Sequence, residues 1–316
     1  MSRKDAALMQ LRPHLVLDGL FSAADAVGAN ETAVWLSAGA EDSRQAMEKA
    51  LAQRRRAGLR EPAVRIAIGP ERYLTGESSA VVRALSGGPA QPTFRRTHVA
   101  IRGVHDRPTL VHNVETLAHV ALAARNGPAY FPTPVLTIAD GDNLVVIQDH
   151  SRSRLGDIVE AMFPARATPY AVLIGGYAGV WMLWDDVRAL RITAGGFDGG
   201  GPSLGAGIIR PVRPGTCGLA ITATLSSFLA AASAGQCGPC RFGLRSVADL
   251  IDDIASCRAG RKQRTQLARF LSEINGRGAC GHPDSTVRMI ATALGTFRDD
   301  LSSHVRHHRC QQKATR

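Results

Sequence analysis

Aromatic residues are scarce. Phe, Trp and Tyr make up 5% of the 316 residues against 45% hydrophobic overall, so Ala, Val, Leu and Ile must fill whatever core forms. Cysteine is sparse as well. Cys217, Cys237, Cys240, Cys257, Cys280 and Cys310 are unevenly spaced in a long chain, which argues against a disulfide scaffold. Lysine is rare, and the formal charge of +11 comes mainly from arginine spread along the chain. No basic run is interleaved with aromatics, so nucleic-acid binding is not expected. The charged start Met1-Ser2-Arg3-Lys4-Asp5 leads into no clean apolar run, because Asp18 and Asp25 interrupt the only one. A signal peptide is therefore not expected, and the reading is a reducing cytoplasm in which thiols stay free for metal. The Gly-rich stretch Gly195 to Pro202 has no GKS or GxGxxG pattern, so it reads as a flexible connection rather than a phosphate cradle.

Charge is missing altogether from Pro214 to Cys240, a length that could span a bilayer. The run is full of Ser, Thr, Ala and Gly, and its bulky residues Ile221, Leu225, Phe228 and Leu229 share one helical face. It reads as a core helix, so no membrane span is expected.

The rest of the chain divides by periodicity. Ala33 to Leu36 and Val64 to Ile68 read as strands around a helix from Glu41 to Ala57, a βαβ-like arrangement. A helix follows Glu77-Ser78-Ser79 and ends at Ser86-Gly87-Gly88. Another begins after Asn113, a good N-cap, and stops at Gly127-Pro128. Val135 to Ile138 and Leu144 to Ile147 form strands about the Asp140-Gly141-Asp142 turn. A helix at Leu155 to Phe163 and a strand at Tyr170 to Ile174 complete a small β-grasp-type unit. From Leu219 onward the pattern is helical. Three further stripes, Leu244 to Ala255, Leu267 to Ile274 and Val287 to Leu301, give with the 219–232 helix a four-helix bundle. His304 to Cys310 reads as a solvated tail. The expected domains are a partial Rossmann-like α/β region over 1–130, the β-grasp domain over 131–213, the bundle over 214–310 and a tail over 311–316.

Two Gly-rich turns carry the chemistry. Ser233-Ala234-Gly235-Gln236-Cys237-Gly238-Pro239-Cys240-Arg241 has two cysteines three positions apart. Gly276-Arg277-Gly278-Ala279-Cys280-Gly281-His282-Pro283 has a third. Thiolates presented from turns at the end of a helical bundle suit a metal ion or an iron–sulfur cluster. A structural zinc site or unused thiols remain the bland alternatives. Cys217 and Cys257 read as small buried apolar residues.

These turns, with the Asn113-Val114-Glu115-Thr116 run, resemble the NADH-binding flavoprotein subunit of respiratory complex I and its relatives among soluble hydrogenases and formate dehydrogenases. Tyr73-Leu74-Thr75-Gly76-Glu77-Ser78-Ser79-Ala80 resembles the family's Y-x-C-G-E-E-T-A. Arg107 to Leu117 resembles its K-P-T-x-x-N-N-V-E-T-L, and Ser233 to Arg241 its S-C-G-K-C-x-P-C-R. The likeness runs from about Leu17 to Val305, with residues 134–190 similar to the family's soluble-ligand-binding β-grasp domain.

The resemblance implies an electron-transfer protein with a cluster on Cys237, Cys240 and Cys280. Ala234 replaces the family's first cysteine. That leaves a [4Fe–4S] cluster with a non-cysteine fourth ligand, His282 first and then Cys257 or Asp284, or a [3Fe–4S] cluster. It also implies FMN near Gly76, Glu77 and Asn113. The family's Gly-rich G-R-G-G-x-G-F-P loop and N-A-D-E stretch do not occur here, and Ser78 replaces the second acid, which argues against FMN binding or NADH oxidation by this chain alone. Implied partners are other redox subunits, ferredoxin-like or flavoprotein, with membrane-peripheral placement reached through a partner. The competing reading is a redox-inactive assembly or ligand-binding scaffold.

Overall fold

The structure, a computed structural model, describes residues 2–94 and 97–312. It divides into two compact units, one of Arg3–Pro132 and one that runs from Thr133 onward and includes Ser2.

In the Arg3–Pro132 unit, helices α1 (Lys4–Leu11) and α2 (Pro13–Val27) precede strand β1 (Thr32–Ser37), helix α3 (Glu41–Arg56) and strand β2 (Val64–Gly69). β1 and β2 pair in parallel, Thr32 opposite Val64 through Ser37 opposite Gly69. A parallel pair needs a crossover, and α3 supplies it. Val34, Leu36, Leu17, Met47 and Ala50 form the core of this unit. Helices α4 (Ser78–Leu85) and α5 (Val114–Asn126) complete it. The two opening helices have no counterpart among the sequence expectations. Leu17 and Val16 of α2 are buried while Asp18 is partly exposed, so the acidic residues that break the apolar run lie off the helix's buried face.

The second unit holds a five-stranded sheet in the order β4-β3-β9-β5-β6. Its strands are β3 (Val135–Asp140), β4 (Asn143–Gln148), β5 (Ala171–Ile174), β6 (Val180–Leu183) and β9 (Ile208–Val212). β3 and β9 are parallel; the other pairs are antiparallel. Side chains alternate between faces. Val172 and Ile174 pack with Leu155 and Val159 of helix α6 (Leu155–Met162). Ala171 and Leu173 turn the other way, into a core shared with the C-terminal helices. Helix α7 (Trp184–Val187) follows β6. The Gly-rich stretch expected to be a flexible connection instead contains part of a short ladder, β7 (Ile192–Thr193) with β8 (Gly196–Phe197), and buries Phe197.

Helices α8 (Gly218–Ala231), α9 (Leu244–Ala255), α10 (Arg261–Ile274), α11 (His282–Thr296) and α12 (Arg298–His307) follow. The third predicted stripe is split between α11 and α12, because Phe297 leaves helical geometry at φ −102°, ψ 35°. Its ring is buried edge-on against Trp181, centroids 5.0 Å apart, and the apolar contact holds the break. The expected solvated tail is corrected at its first residue: α12 continues through His307, and His304 is fully buried. Residues 313–316 of the expected tail lie outside the described residues. Among the described residues no helix is long and apolar enough to cross a membrane; the charge-free run is broken after α8 at Ala231.

Candidate functional site

The 233–241 turn leaves α8 through Gly235, whose φ of +66° is the left-handed region that favours glycine. Pro239 to Gly243 then form a π-helical turn that runs into α9, an irregularity common at functional positions. Cys240 lies in it, buried, and Cys237 is half-buried just before it. The opposite turn is shaped by Gly276, whose N–H donates to Asp284 Oδ1 at 2.8 Å. Gly278 has no room for a side chain: a Cβ there would sit 2.6 Å from the Cys280 carbonyl. Cys280 is half-buried at the start of α11.

The two turns bring the three thiols together. Cys237 lies within hydrogen-bond reach of Cys240, and Cys280 within range of its charge. Burial pushes the Cys240 thiol up to about 12, the Cys237 and Cys280 sulfurs push the same way, and the Gly235 N–H, which donates to Cys240 Sγ, opposes them. Such a thiol gives up its proton to a metal rather than to water at neutral pH.

The three sulfurs do not form a tight cage. Among the described residues, the His/Cys/Asp/Glu group with all donor atoms within 4.8 Å of one another is Cys217, His304 and Cys310. A single zinc ion would hold its sulfurs about 3.8 Å apart, from its ~2.3 Å bonds and tetrahedral angles.

The expected fourth ligands separate clearly. His282 is buried, and its Nε2 lies 2.9 Å from the Leu229 carbonyl oxygen. Burial lowers its pKa, keeping the ring neutral, as a ligand must be. Asp284 is engaged with Gly276. Cys257 lies past the far end of α9 from Cys240, about 18 Å along a 12-residue helix, and drops out of the set.

The predicted flavin residues do other work. Glu77 is the N-cap of α4: its Oε2 accepts from Ser79 N at 2.9 Å and Ala80 N at 3.2 Å, and from the Ser79 hydroxyl. Asn113 is the N-cap of α5. Its Oδ1 accepts from Glu115 N at 3.0 Å and from the Lys4 ammonium at 2.9 Å, while its Nδ2 donates to Asp5 at 3.0 Å. Gly76 is exposed, with nothing within 4 Å of where a Cβ would be. Glu77 and Asn113 thus serve as helix caps, and Gly76 leaves open space beside them.

Known proteins share the fold and the region that holds the cysteine turns. A family model described as "NADH-ubiquinone oxidoreductase-F iron-sulfur binding region" matches residues 220–304, and one described as "Nuo51 FMN-binding domain" matches residues 1–122. Over nearly its whole length the chain is similar to NADH-binding flavoprotein subunits. An NADH-quinone oxidoreductase F subunit of Rhizobium meliloti (strain 1021) is 26% identical over 339 residues, covering 97% of this chain and 78% of the relative. The NADH-quinone oxidoreductase F subunit of Streptomyces coelicolor is 22% identical, covering 97% and 73%. A chain of the NAD+-reducing [NiFe]-hydrogenase in the H2-reduced state superimposes with a TM-score of 0.83 at 25% identity, over 97% of this chain and 54% of that one. The chain thus spans about half the length of this relative of known structure. The iron–sulfur region of the family encloses both cysteine turns. Cys217 and Cys310, which sequence reading passed over, fall outside it.

Proposed function

We propose that this chain is an electron-transfer subunit in which Cys237, Cys240 and Cys280 ligate a [4Fe–4S] cluster. The observation that carries this reading is the meeting of three thiols from two separate Gly-rich turns inside the matched iron–sulfur region. A cluster held there supplies one-electron transfer. The chain's own part is to shape its surroundings. Cys240 is buried, so one sulfur is shielded from water, and the Gly235 N–H donates to it, which stabilises negative charge on the sulfur and so the reduced cluster. With Ala234 where the family has cysteine, His282, two residues past Cys280, is the side chain assigned to the fourth position. An imidazole there carries less negative charge than a thiolate, which raises the reduction potential.

Phe242 stands 67% exposed beside this turn, with the Arg241 guanidinium over its ring. That pair offers a redox partner an aromatic and a cationic anchor. A β-grasp unit and a helical bundle describe the Thr133-onward half in the family's terms. Residues 1–122 match an FMN-binding domain model, but the family's phosphate-holding Gly-rich loop does not occur in the sequence, so no flavin or NADH step is assigned to the chain. The electron donor on this reading is a separate flavin- or ferredoxin-bearing protein, and any membrane association runs through such partners.

The test is iron and acid-labile sulfide per chain after anaerobic purification, for wild type and Cys240→Ser. The wild type should carry stoichiometric iron and sulfide and be brown, and the variant should lose both while keeping its helical circular dichroism. A folded, colourless wild type that cannot be reconstituted with iron and sulfide overturns the proposal.

A further inference from the structure

We propose that Cys217, His304 and Cys310 form a second metal site, distinct from the cysteine turns, which binds one zinc-class divalent ion and pins the C-terminal segment to the helices. Cys217 immediately precedes α8, His304 lies in the last turn of α12, and Cys310 follows that helix. Their donor atoms all lie within 4.8 Å of one another. Cys217 Sγ is 3.9 Å from His304 Nε2, and the two thiols are within hydrogen-bond reach. Tetrahedral zinc, with bonds of ~2.3 Å to sulfur and ~2.0 Å to nitrogen, separates a sulfur and a nitrogen ligand by about 3.5 Å. An ion therefore enters with shifts of a few tenths of an ångström.

The histidine is prepared for this role. It is fully buried, and its Nδ1 lies 3.0 Å from the Ile254 carbonyl oxygen. Nδ1 must carry the hydrogen and donate it, so Nε2 presents its lone pair toward the two sulfurs. A ligand imidazole whose other nitrogen donates to a backbone carbonyl is the usual arrangement at metal centres.

Asp300 provides an independent sign that a cation belongs here. It is buried, and its Oδ1 has no hydrogen-bond partner. It lies one turn before His304, on the same face of α12, and Gln312 hydrogen-bonds its carboxyl group. A buried carboxylate oxygen without a donor is costly, and an adjacent ion or its bound water answers it. A cleft of about 520 Å³ lined by Cys217, Cys310, Thr224, Ser227 and Asp252 gives an entry route and room for a water as fourth ligand.

Two sulfurs and an imidazole are soft or borderline donors, so zinc is selected over magnesium or calcium. The compact spacing suits one ion rather than a cluster. This group sits at the opposite end of α8 from the Cys237 turn, about 21 Å away along a 14-residue helix. Near it the C-terminal segment is tied by hydrogen bonds: His308 Nδ1 donates to the Cys257 carbonyl at 2.9 Å, the Ser303 hydroxyl donates to the Arg309 carbonyl at 2.9 Å, and Gln312 Oε1 accepts from Gly215 N at 3.3 Å. The ion adds a strong tie.

The test uses the full chain purified under reducing conditions without chelator, with zinc and iron measured by mass spectrometry. Zinc affinity is then read by competition with a chromophoric chelator. Wild type should hold one zinc per chain. Cys310→Ser should weaken zinc about 100-fold or more while leaving iron content and circular dichroism unchanged, and Cys240→Ser should lose iron and keep zinc. Wild type that takes up no zinc at micromolar free zinc overturns the proposal. So does unchanged affinity in a Cys217→Ser/Cys310→Ser double variant, or a Cys217–Cys310 disulfide in the reduced preparation.

Discussion

Replacing Asn113 by alanine should destabilise the Arg3–Pro132 unit without touching any cofactor. Asn113 Oδ1 caps α5 through Glu115 N and also accepts from Lys4. Loss of an N-cap costs about 1 kcal/mol. The Lys4 side chain is only 5% exposed but keeps the carboxylates of Asp5 at 3.0 Å and Glu115 at 2.9 Å, so losing its third acceptor adds about 0.5–1 kcal/mol. The sum, about 1.5–2 kcal/mol, corresponds to a fall of about 6–8 °C in the melting of a unit of this size. Scanning calorimetry reads it directly. Asn113→Asp keeps the capping oxygen and the contact with Lys4 but repels Asp5, and should recover at least half of the loss. An alanine variant melting within about 1 °C of wild type would refute the capping argument, more so if it lost bound flavin instead.

Three further outcomes follow from particular contacts. Glu77→Ala should lower stability by about 1–2 kcal/mol through the lost α4 cap, read by urea unfolding, with Glu77→Asp largely retaining it. Gly218→Ala would place a Cβ 2.2 Å from the buried Phe297 ring; overpacking of this kind costs about 1–3 kcal/mol, seen as a lower denaturation midpoint. Tyr170 donates to the Thr216 carbonyl at 2.8 Å and accepts from Gly218 N at 3.2 Å, and burial raises its pKa. A raised pKa means this stabilisation is whole below the unfolded value of about 10 and is lost as pH climbs past it. Melts across that alkaline range should show the decline in wild type and less of it in Tyr170→Phe.

Much of the fold was legible because periodicity and turn chemistry agreed. The βαβ start, the Asp140-Gly141-Asp142 hairpin and the helices from Gly218 onward follow the hydrophobic pattern, and Asn113 caps its helix as its residue type suggests. β9 was missed because Pro211 argues against a strand interior; here it pairs opposite Val172 in a central strand. The Glu77 and Asn113 motifs were legible, but their side-chain partners were not, since Lys4 and Asp5 lie over 100 residues away from Asn113 in sequence. The convergence of Cys217, His304 and Cys310 was hidden for the same reason. His304 sits in a polar run, and only the packing of α12 beside the end of α9 makes it a buried side chain. Its spacing of four from Asp300 and its place between Leu301 and Val305 were the available signals.

Electron transfer by this chain depends on three cysteines holding a redox-active cluster. Electron paramagnetic resonance on anaerobically prepared, dithionite-reduced full chain tests that most directly. The expected result is an iron–sulfur signal near one spin per chain that disappears in Cys240→Ser. A fully folded wild type that stays silent in both the oxidised and the reduced state, with no iron bound, would contradict it.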